Sequence, residues 1–255
     1  MHNSPKQDWR LFYEQEAEQY DHLRYGTCYG QLFRRLHHEA LTDLLNPLVP
    51  NQALEVAAGT GHVTLLLAKM GFKVTALDLT GPMLLQAKKK LHEQNLSAGL
   101  SLGNALKLPF PDQTFQLVVS TRFLHLWPYE KQRAMLTEMV RVLAKDGILV
   151  VDFDNWWHET LLSLPILIYQ KLTHKGRKVG EYYNRLRQTI SMVESAGVRI
   201  NNVRGVGGYH LFLPAIFSQA LARTLGLVNA YGPLRVLSEQ FILRGKKIEA
   251  VDSCS

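Results

Sequence analysis

Hydrophobic positions along the chain switch repeatedly between two periods. The run Ala53-Leu54-Glu55-Val56-Ala57 is short and mostly apolar, and it ends in Ala58-Gly59-Thr60-Gly61. Val63, Leu66, Leu67 and Met70 then recur at helical spacing, so the segment reads strand, tight loop, helix. Gly71 closes that helix, and Lys73-Val74-Thr75-Ala76-Leu77-Asp78 forms a second β-branched run. From Pro82 onward, Met83, Leu84, Ala87 and Leu91 predict another helix. Shorter strands are predicted at 100–102 and 115–120, then a helix over 129–143 and an apolar strand at 148–151 after Asp146-Gly147. This alternation implies an α/β fold, a doubly wound parallel sheet with helices on both faces.

Two regions stand outside the rhythm. Residues 8–45 read as helical and supply Trp9, Phe12, Tyr13, Tyr20 and Tyr25 ahead of the first strand, which suggests an N-terminal helical flap. Residues 156–197 separate the 148–151 strand from a strand at 198–206 and read as a helical cap insertion. A helix near 214–225 and a strand at 239–244 close the chain. The expected organisation is one domain over 1–255: flap 8–45, core 46–155, cap 156–197 and closing elements 198–255.

Composition alters this picture little: 46% hydrophobic and 20% charged residues describe an ordinary globular chain. The longest apolar stretch, 161–169, is too short to span a bilayer and contains Pro165, and residues 1–10 are polar, so a cytoplasmic location is expected. The two cysteines, Cys28 and Cys254, form no metal-ligand spacing, and no metal is expected. Charge matters more. Residues 1–154 carry 16 basic and 16 acidic side chains, whereas residues 155–255 carry 13 and 6, so the whole excess of +7 is C-terminal. That asymmetry suits an acidic partner, an anionic membrane surface or an anionic metabolite, and equally a solvated basic face.

Three features of the core point to a nucleoside cofactor. Glycines 59 and 61, between strand and helix, let the backbone approach a ligand at a helix start. Asp78, 19 positions beyond Gly59 at the end of the second strand, can accept from ribose hydroxyls. Glu55, inside the first strand, would face a pyrophosphate unfavourably but would favour an ammonium and a sulfonium. Thr64 also departs from the dinucleotide fingerprint, which wants a small sixth residue.

These motifs resemble those of the class I S-adenosylmethionine-dependent methyltransferases. The run 54–61 looks like the family's first motif, 76–84 like its second, 103–115 like the segment that cups the adenine and 141–147 like the loop before strand five. The flap, from Phe12-Tyr13 to Tyr20-Asp21, resembles that of the small-molecule branch that includes quinone-ring methyltransferases. The resemblance implies a Rossmann-like, mostly parallel seven-stranded sheet with S-adenosylmethionine as cofactor. It places Asp78 on the ribose, Asn104 and Ala105 at the adenine edge, and Glu55, Ala57, Gly59 and Gly61 around the methionine part, with Leu79, Met83 and Ser120 completing the set. Ala57 stands where the family has a glycine, which a methyl group tolerates at negative φ, and Asn104 replaces a commoner Asp.

The acceptor is expected at the carboxyl ends of the strands, among 120–125, 153–157 and 205–210. His125 and His210 fall there and are the candidate general bases. His37-His38 suggest no metal site. Ser120-Thr121-Arg122-Phe123 lacks the tetrad of exocyclic base methylation, and no cysteine suits cytosine chemistry, so nucleic acid is a disfavoured partner. The expected activity is methyl transfer to a small molecule of amphiphilic or anionic character, such as a quinone precursor. The cap, with Trp156, Trp157 and the set Lys171, Lys175, Arg177 and Lys178, would select it or touch an anionic membrane. A cofactor-binding assembly protein without turnover and an RNA methyltransferase remain open at this point.

Overall fold

A computed structural model describes residues 8–158, 182–208, 211, 218–231, 235 and 237–248. Seven strands form one sheet: β1 (Gln52–Val56), β2 (Lys73–Asp78), β3 (Gly99–Leu102), β4 (Phe115–Ser120), β5 (Leu143–Asp154), β6 (Val198–Val206) and β7 (Gln240–Lys247). Their order is β3-β2-β1-β4-β5-β7-β6. Only β7 runs against its neighbours. The doubly wound, mostly parallel sheet therefore stands as expected, with the strand order reversing between β1 and β4.

Described helices are α1 (Trp9–Glu16), α2 (Tyr20–Tyr25), α3 (Cys28–Leu45), α4 (His62–Lys69), α5 (Gly81–Glu93), α6 (Tyr129–Val142), α7 (Leu186–Ser195) and α8 (Gln219–Ala230). Side chains alternate across each strand. Leu54, Val118, Leu149 and Val151 pack with Met135 and Met139 of α6 and Met192 of α7. Ala53, Leu117, Val119 and Val150 pack with Leu36 and Leu41 of α3 and Leu67 of α4. Helix α3 is thus a layer of the core, with Leu32, Leu41, Leu44 and Leu45 almost fully buried, and only α1 and α2 remain to form a flap.

Strand β5 is longer than the predicted 148–151 because its first residues already pair with β4. Asp146 takes φ +58° ahead of Gly147, and the register shifts there before the ladder resumes at Leu117–Ile148. Lys171, Lys175, Arg177 and Lys178 of the proposed cap lie outside the described residues, as does His210. Among the described residues, no helix is long and apolar enough to cross a membrane.

Candidate active site

The β1–α4 loop is built from three left-handed residues, Ala57 (φ +61°), Gly59 (φ +54°) and Gly61 (φ +81°). The negative φ expected for Ala57 is therefore not adopted: the turn that lets Ala58 donate to the Leu77 carbonyl at 2.9 Å needs the positive one. The two glycines serve different ends. A Cβ on Gly59 would meet nothing within 4 Å, so this position opens the loop toward a ligand, whereas a Cβ on Gly61 would lie 2.6 Å from Ala87 Cβ. Gly61 is a contact between loop and α5, and it is absent from the cavity wall.

Asp78 ends β2 and braces the loop. Its Oδ2 accepts from the Gly59 N–H at 2.8 Å, and its Oδ1 accepts from the Thr80 N–H at 2.9 Å and the Thr80 hydroxyl at 3.0 Å. With a further backbone contribution from Leu79, these donors leave the carboxylate less acceptor capacity than two ribose hydroxyls would take. Burial pushes this carboxyl up, and the backbone donors of Thr80 and Gly59 oppose that. Glu55 is buried in β1 and accepts from the Thr64 hydroxyl; burial pushes its carboxyl up to about 8.

Both carboxylates line a cavity of about 320 Å³ at the carboxyl ends of the strands. Ala57, Gly59, Leu79, Met83, Asn104 and Ala105 line it as well. The Asn104 side-chain oxygen already accepts from the Leu106 N–H at 2.9 Å, and its second lone pair is left for a ligand. Ser120 lies elsewhere: it is buried, its hydroxyl donates to the Val56 carbonyl at 3.0 Å, and it is not part of the wall. An open glycine cradle, a carboxylate with spare acceptor capacity and a buried carboxyl beside it fit a cationic nucleoside ligand.

The far end of the cavity is aromatic and comes largely from the flap. Trp9 and Tyr13 stack at 6.0 Å, Tyr13 meets Tyr20 edge-on, and Phe123 and Trp127, also edge-on to each other, line the cavity with them. The flap is tied down by Asp21 of α2, which accepts from the Thr60 hydroxyl at 2.7 Å, pairs with His62 Nε2 at 2.9 Å and receives Lys90 Nζ. Burial pushes the Asp21 carboxyl up, but hydrogen bonds from His62, Lys90 and Thr60 outweigh it and hold the group well below the usual carboxylate range.

Of the described residues in the strand-end stretches expected to line an acceptor pocket, only Thr121, Arg122 and Phe123 do so. His125 sits in a single 3₁₀ turn with its Nδ1 3.7 Å from Asp154 Oδ1, beyond hydrogen-bond distance, and it is not on the wall. Asn155 donates its side-chain amide to the Ser238 carbonyl at 2.7 Å, just past the end of β5. Sequence reasoning missed a second histidine pair. His37 of α3 lines the cavity and places Nε2 3.2 Å from Oδ2 of Asp152, a fully buried carboxylate near the end of β5. The available signal was Asp152 itself, a charge inside the otherwise apolar run Ile148–Phe153.

Residues 53–147 match the family described as Methyltransferase domain. An uncharacterized methyltransferase of Staphylococcus carnosus is 32% identical over 173 residues, covering 64% of this chain and 79% of that protein. The chain belongs to the class I S-adenosylmethionine-dependent methyltransferases. The demethylmenaquinone methyltransferase of Thermus thermophilus is 35% identical to this methyltransferase over 138 residues, 53% of the chain. That alignment spans 60% of the length of the Thermus protein. In fold, the methyltransferase is similar to the magnesium protoporphyrin IX methyltransferase of Synechocystis, solved with bound S-adenosylhomocysteine, at a TM-score of 0.67 and 15% identity over 93% of this chain and 97% of that one.

Proposed function

We propose that this methyltransferase transfers the methyl group of S-adenosylmethionine to a ring-bearing, largely apolar small molecule held beneath the α1–α2 flap. The observation that carries the reading is the continuity of one cavity from Glu55, Gly59 and Asp78 to the wall of Trp9, Tyr13, Tyr20, Phe123 and Trp127. Glu55 would take the cationic methionine end, Asp78 one ribose hydroxyl, and Met83, Leu79, Asn104 and Ala105 the adenine. The cofactor supplies an electrophilic methyl group, and the protein's task is to align an acceptor with it and keep water out. An aromatic wall suits a quinone-ring acceptor of the kind named for the Thermus relative. The basic cap segment would add an anionic or amphiphilic preference, with or without contact to an anionic membrane.

Methyl-labelled cofactor, purified protein and a cell extract separated into lipid, polar and RNA fractions test this. Label in a ring-bearing component of the lipid fraction is expected. Label in RNA, or none in any fraction, would overturn the reading.

A further inference from the structure

We propose that His37, oriented by Asp152, is the general base of the methyl transfer, and that the Arg122 guanidinium receives the oxyanion it creates. The inference rests on the acceptor occupying the aromatic end of the cavity and goes beyond that reading by naming the proton's destination. It also implies the acceptor's chemistry, an acidic hydroxyl on the ring.

Among the described residues, His37 is one of three histidines on the cavity wall, with His38 and His62. His62 is committed to Asp21, and burial, with His37, His62 and Arg34 nearby, pushes His38 down to about 3, leaving it a weak base. His37 alone faces a carboxylate that comes from the sheet. Asp152 holds Nε2, so the imidazole keeps its proton there and turns Nδ1 into a lone pair. The contact with Asp152 is the one side-chain hydrogen bond of His37 among the described residues, so Nδ1 is left without one. The ring lies at 24° to Phe33, which fixes its plane. A carboxylate, an imidazole and a free ring nitrogen on the wall of a ligand cavity are the geometry of a positioned base.

Arg122 completes the arrangement. Its backbone N–H donates to the other Asp152 oxygen, Oδ1, at 2.7 Å, so one carboxylate positions both groups. The residue holds φ +55°, a strained conformation for a bulky side chain, and its guanidinium lies 5.2 Å from the Phe33 ring and 5.9 Å from that of Tyr25. Arg122 Nε is buried and has no hydrogen-bond partner. Such a donor is expensive to leave unmade, and an oxyanion in the cavity would satisfy it. The other charged or titratable groups around this point are Tyr13 of α1, Tyr20 and Tyr25 of α2, Arg34 and His38 of α3, Asp154 of β5 and Glu239.

In the step this implies, the acceptor's O–H bond breaks and the proton goes to His37 Nδ1. The oxygen electron pair, directly or through the ring carbon it activates, forms the new bond to the methyl carbon. The carbon–sulfur bond breaks with its pair left on sulfur, giving a neutral sulfide and an imidazolium beside Asp152. Charge and atoms balance without a further reactant. Asp152 is a positioning residue.

The probe is 4-nitrophenol, colourless as the phenol and yellow as the phenolate, titrated into protein saturated with S-adenosylhomocysteine at a pH below the probe's own pKa. The unmodified protein is expected to bind it as the yellow phenolate. His37→Gln should lower the bound phenolate fraction by about tenfold, the effect of one pKa unit, and Asp152→Asn should lower it to a lesser degree. Arg122→Met should weaken probe binding, while all three keep their affinity for S-adenosylhomocysteine. Equal phenolate in the unmodified protein and His37→Gln overturns the base and leaves the acceptor cavity standing. No binding of the probe to the unmodified protein overturns the aromatic end as an acceptor site, and the base with it.

Discussion

Asp21 of the flap and Thr60 of the glycine loop, 39 residues apart, are joined by a 2.7 Å hydrogen bond from the Thr60 hydroxyl to the Asp21 carboxylate. The same carboxylate draws in His62 and Lys90, and Lys90 also donates to the Thr60 carbonyl at 2.9 Å. One flap side chain thereby holds the glycine loop that lines the cavity.

Asp21→Ala is expected to weaken S-adenosylhomocysteine binding by about 1 kcal/mol, or five- to tenfold, since the group is partly exposed and its ion pairs are screened. Calorimetry at low and high salt checks this: salt should weaken binding by the unmodified protein more than by the variant. Because the folded carboxyl is depressed, the latch is complete above the ordinary carboxylate pKa of about 4 and is lost only as the pH falls below it. Flap opening followed by proteolysis should therefore be flat from neutral pH down to that point.

Glu55 responds in the opposite sense. Its carboxyl rises from 4.5 to about 8 on folding, so between those values the folded state keeps a proton that the unfolded state has lost. Stability of the ligand-free protein should therefore fall as the pH rises through this window, and Glu55→Gln should flatten the fall. A cationic cofactor placed beside Glu55 would ionise it. Binding measured near pH 7 in buffers of different ionisation enthalpy should show about one proton released, and the release should vanish in Glu55→Gln. A buffer-independent enthalpy in the unmodified protein would remove Glu55 from contact with the cofactor.

The two loop glycines should separate stability from binding. Gly61→Ala pushes a Cβ to 2.6 Å from Ala87 Cβ at φ +81°, and a loss of about 2–4 kcal/mol of stability is expected. Gly59→Ala meets nothing, so only the strain of φ +54°, about 1 kcal/mol, is expected in thermal denaturation, together with a loss of cofactor affinity. Identical melting behaviour of the two variants would contradict this division.

Asp78→Ala removes an acceptor from the ligand and from Gly59 and Thr80 at once, so affinity should fall by about 1–3 kcal/mol. Asp78→Asn can still accept through its amide oxygen on one side. It should recover part of the melting temperature but less of the affinity, which thermal denaturation and calorimetry together would establish.

Much of this protein was legible in contiguous segments. The β1–loop–α4 unit and the β2 end carry their own turn residues and periodicity, so Glu55, Gly59 and Asp78 were recognisable before any packing was known. β4 and β6 were placed at their observed bounds, β4 because an apolar run bounded by turns identifies itself locally. Other assignments turned on neighbours far away in sequence. Gly59 and Gly61 read alike along the chain, and only the approach of Ala87 makes one a packing contact and the other an opening. Likewise, α3 reads as part of a flap, yet its apolar face is claimed by the sheet. His125 and Ser120 lie in the stretch expected, but His125 sits in a 3₁₀ turn beyond β4 and the Ser120 hydroxyl is turned to the Val56 carbonyl, and neither is on the cavity wall. His37 and Asp152 are 115 residues apart, and no local pattern links them. A hydrogen bond between two elements depends on how both pack against a common sheet, and that arrangement exists only once the tertiary structure has formed.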